Sequence, residues 1–213
     1  MTYNSEALYR KAFILSVFTI VYNIAEGLVA VFFGYKDESL TLFGFGVDSF
    51  IEVISGIGIA YMIIRMRQDP NSGRGKFEKT ALTITGLSFY SLVVGLLATS
   101  VYKLLTGQKP ETTIIGVILS LISIVIMIVL MNAKMRVGRA LHSDPIIADA
   151  RCTKVCIYMS VVLLTASAIY ELTKVSYVDI LGSLGLAYLS FNEGRECFDK
   201  VKNNASCSCE DNP

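Results

Sequence analysis

Two pairs of residues with metal-binding side chains lie inside apolar stretches of this sequence. Asp48 and Glu52 are four residues apart, and Cys152 and Cys156 repeat that spacing much further along the chain. Residues four apart lie on one face of a helix. If the two faces are turned toward each other, they present two carboxylates and two thiols to a single point.

These side-chain types together favour a transition-metal cation. A carboxylate inside a membrane helix is costly and typically marks a path for ions or protons. Thiolates select softer metals over magnesium or calcium. The two pairs therefore predict one metal site. The alternatives are that each cysteine is a small buried hydrophobic residue, and that a carboxylate pairs with Arg151 or Lys154 within the bundle.

The elements that must position these pairs are membrane helices. The sequence is 53% hydrophobic, more than is usual for a soluble domain, and six apolar segments are long enough to span a bilayer. We predict an all-α membrane protein with six transmembrane helices. Its transport domain occupies residues 1–200, and residues 201–213 form a short cytoplasmic tail that contains cysteines. The predicted segments are 10–34, 39–64, 80–105, 112–134, 145–172 and 177–195.

Two helix starts are marked in the sequence. Ser39 is a suitable N-cap for the second helix, since serine side chains accept hydrogen bonds from the first free backbone N–H groups. Ser143 precedes Asp144 and Pro145, and proline is favoured in the first helical turn because its missing N–H costs nothing there. Helices two and five are predicted to be antiparallel, with Glu52 and Cys156 both near the middle of their segments.

Lys and Arg residues are distributed unevenly between the predicted loops. Of 19 such residues, Arg151 and Lys154 lie within helix five, and only four fall on the side opposite the termini: Lys36, Lys103, Lys109 and Lys174. Because cytoplasmic loops are enriched in Lys and Arg, we predict a multi-pass protein of a prokaryotic inner membrane with both termini in the cytoplasm. A basic patch interleaved with aromatic residues is absent from the sequence, so we expect no nucleic-acid partner.

On these residues the chain resembles the cation diffusion facilitator family of metal/proton antiporters. That family has six transmembrane helices, an acidic i,i+4 pair on helix two and a His/Asp i,i+4 pair on helix five. Residues 47–52 match the helix-two pattern, and residues 148–156 align with the helix-five pattern with cysteine at both ligand positions. Asn23 and Gly27 are also similar to the family. The resemblance covers the whole transmembrane part.

The resemblance implies a transporter, not an enzyme, that exports a metal cation from the cytoplasm by proton antiport and alternating access. It implies that the ion is held by Asp48, Glu52, Cys152 and Cys156, without an organic cofactor. The cysteines replace the usual His and Asp, and Glu52 replaces a more usual Asp. Zinc accepts sulfur and oxygen ligands, and two thiolates favour cadmium or mercury. We therefore expect a soft or borderline divalent cation of the Zn/Cd/Hg type.

Three further residues could hand the metal to this site. Asp149, one turn before the cysteines, is a candidate proton or metal relay, or else pairs with Arg151 or caps its helix. Cys207 and Cys209 form a Cys-x-Cys pair in the polar tail, which either binds soft metal or is incidental. Cys197, at the end of helix six, could join them but is more typical of a structural residue.

The resemblance also implies a homodimer. We interpret the chain as a variant without the cytoplasmic C-terminal domain that many members carry, so transmembrane contacts would hold the dimer. Helix three is the candidate face because small residues allow helices to approach closely; they are Gly86, Ser88, Ser91 and Gly95.

Two other functions remain open at this point. A membrane thiol oxidoreductase would use Cys152 and Cys156, but redox pairs favour Cys-x-x-Cys spacing, and Asp48 and Glu52 would have no role. A non-transporting metal sensor or scaffold would use the same four residues without moving the ion.

Overall fold

The computed structural model of the protein is an all-α bundle. It describes residues 2–68, 76–107, 110, 113–175 and 177–202, and every regular element within them is a helix. The side chains that lie outside the described set belong to residues 2–5, 55, 66–68, 76–78, 81, 144–145, 148, 151–152 and 200.

All six predicted segments are confirmed as helices. They are α1 (Thr2–Lys36), α2 (Leu40–Gln68), α3 (Lys76–Thr106), α4 (Ile114–Ala140), α5 (Asp144–Thr173) and α6 (Tyr177–Lys202). The largest differences from the predicted bounds lie at the end where α1 begins and α6 ends, which we call the terminal end. There the helices continue into polar sequence, because an apolar run marks the thickness of the membrane and not the length of the helix.

Five of the helices are long and apolar enough to cross a membrane, by length and composition: α1 to α5. The sixth, α6, is long enough but contains more small and polar residues. The outward faces of the helices expose large apolar side chains, among them Phe32, Leu105, Val125 and Leu172. Extensive apolar exposure is expected where lipid covers the surface.

Consecutive helices α1 and α2 form a tightly packed antiparallel pair. A Cβ atom added to Gly34 would lie 2.4 Å from the Phe43 backbone nitrogen, and one added to Gly46 would lie 2.6 Å from that of Val31. No side chain fits in either place. The two glycines therefore let the backbones approach closely and fix the rotation of α2, which carries Asp48 and Glu52.

Helices α3 and α6 form a second antiparallel pair. A Cβ atom on Gly86 would lie 3.1 Å from the Cβ of Cys197, and one on Gly194 would lie 3.2 Å from the Cβ of Phe89. Gly86 therefore faces α6, and its predicted place on an outer dimer face is wrong. Helix spacing alone could not separate the two faces of α3, because small residues occur on both. Gly95, by contrast, has open space beside it.

At the end opposite the termini, α2, α3 and α6 meet at one carboxylate. Asp179 of α6 accepts hydrogen bonds from Ser39 Oγ at 2.8 Å, from Leu40 N at 2.9 Å and from Thr41 N at 3.1 Å. Lys103 Nζ lies 3.9 Å from the same carboxylate. Ser39 itself accepts from Leu42 N at 3.3 Å, so the predicted cap is confirmed.

The start of α5 also agrees with the sequence. Ser143 is the N-cap residue and Pro145 lies in the first turn, although the Ser143 side chain makes no capping hydrogen bond. The helix boundary is thus set by backbone preferences around the proline and not by a serine cap.

Candidate metal centre

The centre of the bundle brings a carboxylate of α2 and a thiol of α5 into direct contact. The Cys156 thiol donates a hydrogen bond to Glu52 Oε1, with 2.6 Å between sulfur and oxygen. Glu52 and Cys156 are both partly buried and line the cavity within the bundle. The two helices therefore place one hard and one soft ligand group side by side, which are the groups that a borderline metal accepts.

Helix α1 orients this carboxylate. Asn23 is 1% exposed, and its Nδ2 donates to Glu52 Oε2 at 2.8 Å. One oxygen of Glu52 is thus fixed by an amide while the other faces the thiol. Hydrogen bonds of this kind fix the orientation of metal-binding side chains, and their loss typically lowers metal affinity. This hydrogen bond gives a physical reason for an asparagine at position 23, where the sequence resembles the family.

Asp48 lies one turn before Glu52 on α2. It is 3% exposed, and its Oδ1 has no hydrogen-bond partner among the described residues. A buried carboxylate oxygen without a partner is costly, and it is available to a cation. Among the described side chains, however, no group of three or more His, Cys, Asp or Glu residues is arranged to hold a metal ion.

The remaining cysteines predicted to contact metal are not described. Cys152 lies on α5 one turn before Cys156, but its side chain is outside the described set, as is that of Arg151. Cys207 and Cys209 lie outside the described residues altogether. Lys154, the other cation of this segment, is exposed and lies 5.8 Å from the ring centre of Tyr158, away from the Glu52–Cys156 contact.

Asp149 has a partner that the sequence did not reveal. Lys134 Nζ of α4 lies 3.0 Å from Asp149 Oδ2 and 3.4 Å from Thr153 Oγ1, to which it donates. Lys134 is 3% exposed. From the sequence, Lys134 is predicted to lie outside the membrane on the terminal side, because it is the last residue of the predicted apolar segment of α4. Only the extension of α4 beyond that point brings it inside the bundle.

A cavity of about 80 Å³ connects these groups. Glu52 and Cys156 line its wall at one level, and Lys134 and Asp149 line it nearer the terminal end. A single water needs on the order of 10–15 Å³ measured in this way, so the cavity has room for a cation with several waters. Other lining residues come from α1, α3 and α6: Ser16, Thr19, Asn23, Thr85, Phe89, Glu193 and Cys197.

A second buried carboxylate next to the centre was also missed. Glu26 of α1 is 4% exposed; its Oε1 accepts from the Tyr22 hydroxyl at 2.7 Å, and its Oε2 accepts from Ser49 Oγ at 3.1 Å. The sequence could have indicated this residue, because Glu26 is a charged residue inside an apolar segment and directly precedes Gly27. Both of its oxygens are hydrogen-bonded, so it is better satisfied than Asp48.

Comparison with known families agrees with this architecture. Residues 12–201 match the model of the cation efflux transmembrane domain, which includes α6 and the whole candidate centre. The chain belongs to the cation efflux family. Members of this family, the cation diffusion facilitators, are transporters rather than enzymes. The thiol oxidoreductase interpretation of Cys152 and Cys156 therefore has no support.

A curated protein that the chain matches has no characterised substrate. An uncharacterized transporter of Methanocaldococcus jannaschii is 29% identical over 138 residues, which are 63% of this chain and 49% of that protein. The chain thus spans about half the length of the curated relative. The similarity agrees with a transporter and leaves the transported cation to be argued from the centre itself.

Proposed function

We propose that this cation efflux protein exports a soft or borderline divalent transition metal, of the Zn/Cd/Hg type, from the cytoplasm in exchange for protons. The observation that carries this proposal is the contact between the Cys156 thiol and Glu52 at the centre of a membrane bundle. The proposed ligands are Asp48, Glu52, Cys152 and Cys156.

The geometry of the contact supports proton exchange. Metal–sulfur bonds of about 2.3 Å and metal–oxygen bonds of about 2.1 Å at a tetrahedral angle place the two ligand atoms roughly 3.6 Å apart. Cys156 Sγ and Glu52 Oε1 lie closer together than this, in direct contact through the thiol proton. A metal ion would replace that proton and push the two side chains apart. Metal binding to thiols inherently releases protons, so binding and deprotonation are coupled at this pair.

The ligand types favour soft ions. Two thiolates and two carboxylates suit Zn²⁺ in a tetrahedral site and favour Cd²⁺ or Hg²⁺ over a site that contains histidine. Asp48 supplies the buried oxygen that has no partner among the described residues. The proposed path begins at the terminal end, passes Asp149 and reaches Glu52 and Cys156 through the shared cavity. Cys207 and Cys209 would deliver the ion to its mouth.

Alternating access follows if the centre opens toward one side at a time. In the described arrangement, the cavity extends from Glu52 toward the terminal end, where Asp149 lies. That end is the proposed cytoplasmic side. Release on the opposite side requires the helix ends tied together by Asp179 to separate.

Uptake into inside-out vesicles tests the function, with Zn²⁺, Cd²⁺, Hg²⁺, Cu⁺ and Fe²⁺ supplied one at a time under a proton gradient. The native protein should carry soft ions into the lumen and protons out of it, so the lumen should become more alkaline as the metal enters. Asp48→Ala should abolish uptake of every ion and remain folded, because removing a buried carboxylate relieves a desolvation cost. Asp199→Asn, an exposed carboxylate on α6, is the matched control.

Two outcomes would overturn the proposal. Unchanged uptake and metal stoichiometry in Asp48→Ala would show that the four residues are not the site. Stoichiometric metal binding by the native protein without any uptake would favour a sensor or scaffold.

The proposed assembly is a homodimer within the membrane. Ser88, Ser91 and Gly95 line a groove between α2 and α3, and small residues in such a groove allow a second helix to approach. The mass of the detergent-solubilised protein and of the protein in nanodiscs checks this; a monomer in both would contradict it.

A further inference from the structure

Helix α6 carries a third pair of metal-binding side chains with the same spacing as the two proposed ligand pairs. Glu193 and Cys197 are four residues apart and therefore share a helix face. Both line the cavity that contains Glu52 and Cys156. Cys197 is 6% exposed. The sequence suggested a structural role for Cys197 and none for Glu193.

The position of the pair relates it to the transport path. Glu193 shares the cavity with Glu52 and Cys156, the proposed transport ligands. Cys197 lies one turn further toward the terminal end, about 6 Å along the helix axis. Gly86 of α3 lets Cys197 sit there, since a Cβ atom on Gly86 would lie 3.1 Å from the Cβ of Cys197. The thiol is thereby held against α3 by backbone packing.

Two buried polar atoms of the cavity point independently to a ligand. Thr85 of α3 is 1% exposed, lines the cavity, and its Oγ1 has no hydrogen-bond partner among the described residues. Asn23 Oδ1 is in the same state. Buried polar atoms in native proteins are nearly always satisfied, by protein, water or ions. A hydrated cation between α3 and α6 would satisfy the Thr85 hydroxyl.

We propose that Glu193 and Cys197 form a loading site for the same soft metal cation, between the terminal end and the transport site. This inference rests on the proposed function, because it supplies the path of that ion. The cation binds Cys197 sulfur as the thiol gives its proton to water, and Glu193, the Thr85 hydroxyl and water complete its shell. No electron is transferred.

A site with two protein ligands and water should bind the cation more weakly than the proposed transport site with its four protein ligands. Weaker binding lets a loading site pass the ion on. Conduction through several sites needs binding that is favourable enough to take up the ion and weak enough to release it. Glu193 and Cys197 would hold the ion briefly, and Asp48, Glu52 and the α5 cysteines would then take it.

Cadmium binding to a protein in which Cys197 is the last thiol tests the site directly. The chain has five cysteines, so replacing Cys152 and Cys156 by alanine and Cys207 and Cys209 by serine leaves Cys197 alone. This protein should bind about one Cd²⁺ with the ultraviolet charge-transfer absorption of a cadmium–thiolate bond. Adding Cys197→Ala should remove the absorption, and adding Glu193→Gln should weaken binding roughly tenfold or more.

The controls separate this proposal from the function on which it rests. Asp199→Asn, on α6 but exposed, should leave Cd²⁺ binding unchanged. The measurement uses no transport and lacks both proposed α5 ligands, so it can succeed even if Asp48→Ala shows that the transport site lies elsewhere. A folded protein with Cys197 alone that gives no charge-transfer absorption would overturn the loading site.

If the multiply substituted protein does not fold, the single variant Cys197→Ser in the otherwise native chain decides. Its KM for Cd²⁺ uptake should rise roughly tenfold while the maximal rate at saturating Cd²⁺ changes little. An unchanged KM in the folded variant would likewise overturn the proposal.

Discussion

The contact between Glu52 and Cys156 concentrates the chemistry of the protein into two atoms. Sulfur and oxygen are 2.6 Å apart, and Asn23 fixes the other oxygen of the carboxylate. In the proposed exchange, a proton and a metal cation compete for the space between these two atoms. If both bind at this pair, as we propose, the identity of the α5 ligands should decide which metal competes best with the proton.

Restoring the ligand types usual in the family should therefore change selectivity. The double variant Cys152→His/Cys156→Asp exchanges soft sulfur for harder nitrogen and oxygen. Uptake of Cd²⁺ and Hg²⁺ should fall by more than tenfold relative to Zn²⁺, measured as the ratio of initial rates in one vesicle preparation. A Zn²⁺/Cd²⁺ ratio equal to that of the native protein would contradict the assignment of the cysteines as ligands.

A second residue-scale prediction concerns the ion pair of Lys134 and Asp149. Their 3.0 Å contact is largely shielded from solvent, and removing one partner of such a pair typically costs about 3–5 kcal/mol because the other charge stays buried. Asp149→Asn alone should lower the thermal midpoint in detergent more than Lys134→Met/Asp149→Leu does.

The double variant also separates stability from function. Because both side chains line the cavity, the stable double variant should still lose most of its uptake rate. Native uptake in that variant would reduce the pair to a structural contact between α4 and α5.

At the scale of elements, helix α2 carries both proposed carboxylate ligands and is held at its start by Asp179. That carboxylate accepts three hydrogen bonds from Ser39, Leu40 and Thr41. It satisfies donors that a helix start would otherwise leave free. The depth and rotation of Asp48, two turns further on, thus depend on a residue of α6.

Asp179→Asn should therefore destabilise the protein by about 2 kcal/mol, since hydrogen bonds to a charged group contribute about 1.5–3 kcal/mol each and the amide retains only part of them. Ser39→Ala removes the bond to Asp179 and the bond accepted from Leu42 N, and loss of such an N-cap should cost about 1 kcal/mol. Thermal unfolding in a single detergent gives both values. Equal stability of Asp179→Asn and the native protein would contradict the cap.

The sequence predicted the elements better than their partners. Six apolar runs predicted six helices because the thickness of a membrane demands that length, and Ser39 marked the start of α2. Asp179, Lys134 and Glu193 were missed, because each acts through a residue of a different helix. Spacing along one helix shows which side chains share a face, but it does not show which helix that face meets.

The same limit applied within the candidate centre. Glu52 and Cys156 could be matched across helices because two i,i+4 pairs at the middle of their segments had few other arrangements. Gly86 could not be assigned to a face, since its contact with Cys197 depends on how α3 and α6 pair. The face that a glycine presents to a neighbouring helix is set by how the helices pair in the bundle and not by the sequence of one helix.

At the scale of the whole molecule, an interior rich in polar groups is enclosed by an apolar exterior. Buried residues include Asn23, Glu26 and Asp48, whereas large apolar residues such as Phe32 and Leu172 are exposed. In water this distribution would be unstable. In a bilayer it keeps the costly polar groups inside the bundle, away from the lipid.

Topology is the last prediction. The first helix begins and the last helix ends at the same side of the bundle. Only four of the 19 Lys and Arg residues fall on the opposite side, so we predict from the positive-inside rule that the terminal end is cytoplasmic. Reporter fusions after Pro213 and within residues 70–76 should both report a cytoplasmic location, and a fusion within residues 107–112 should not. A periplasmic signal from the fusion after Pro213 would reverse the orientation and with it the direction of transport, because the cavity beside Asp149 would then open to the outside.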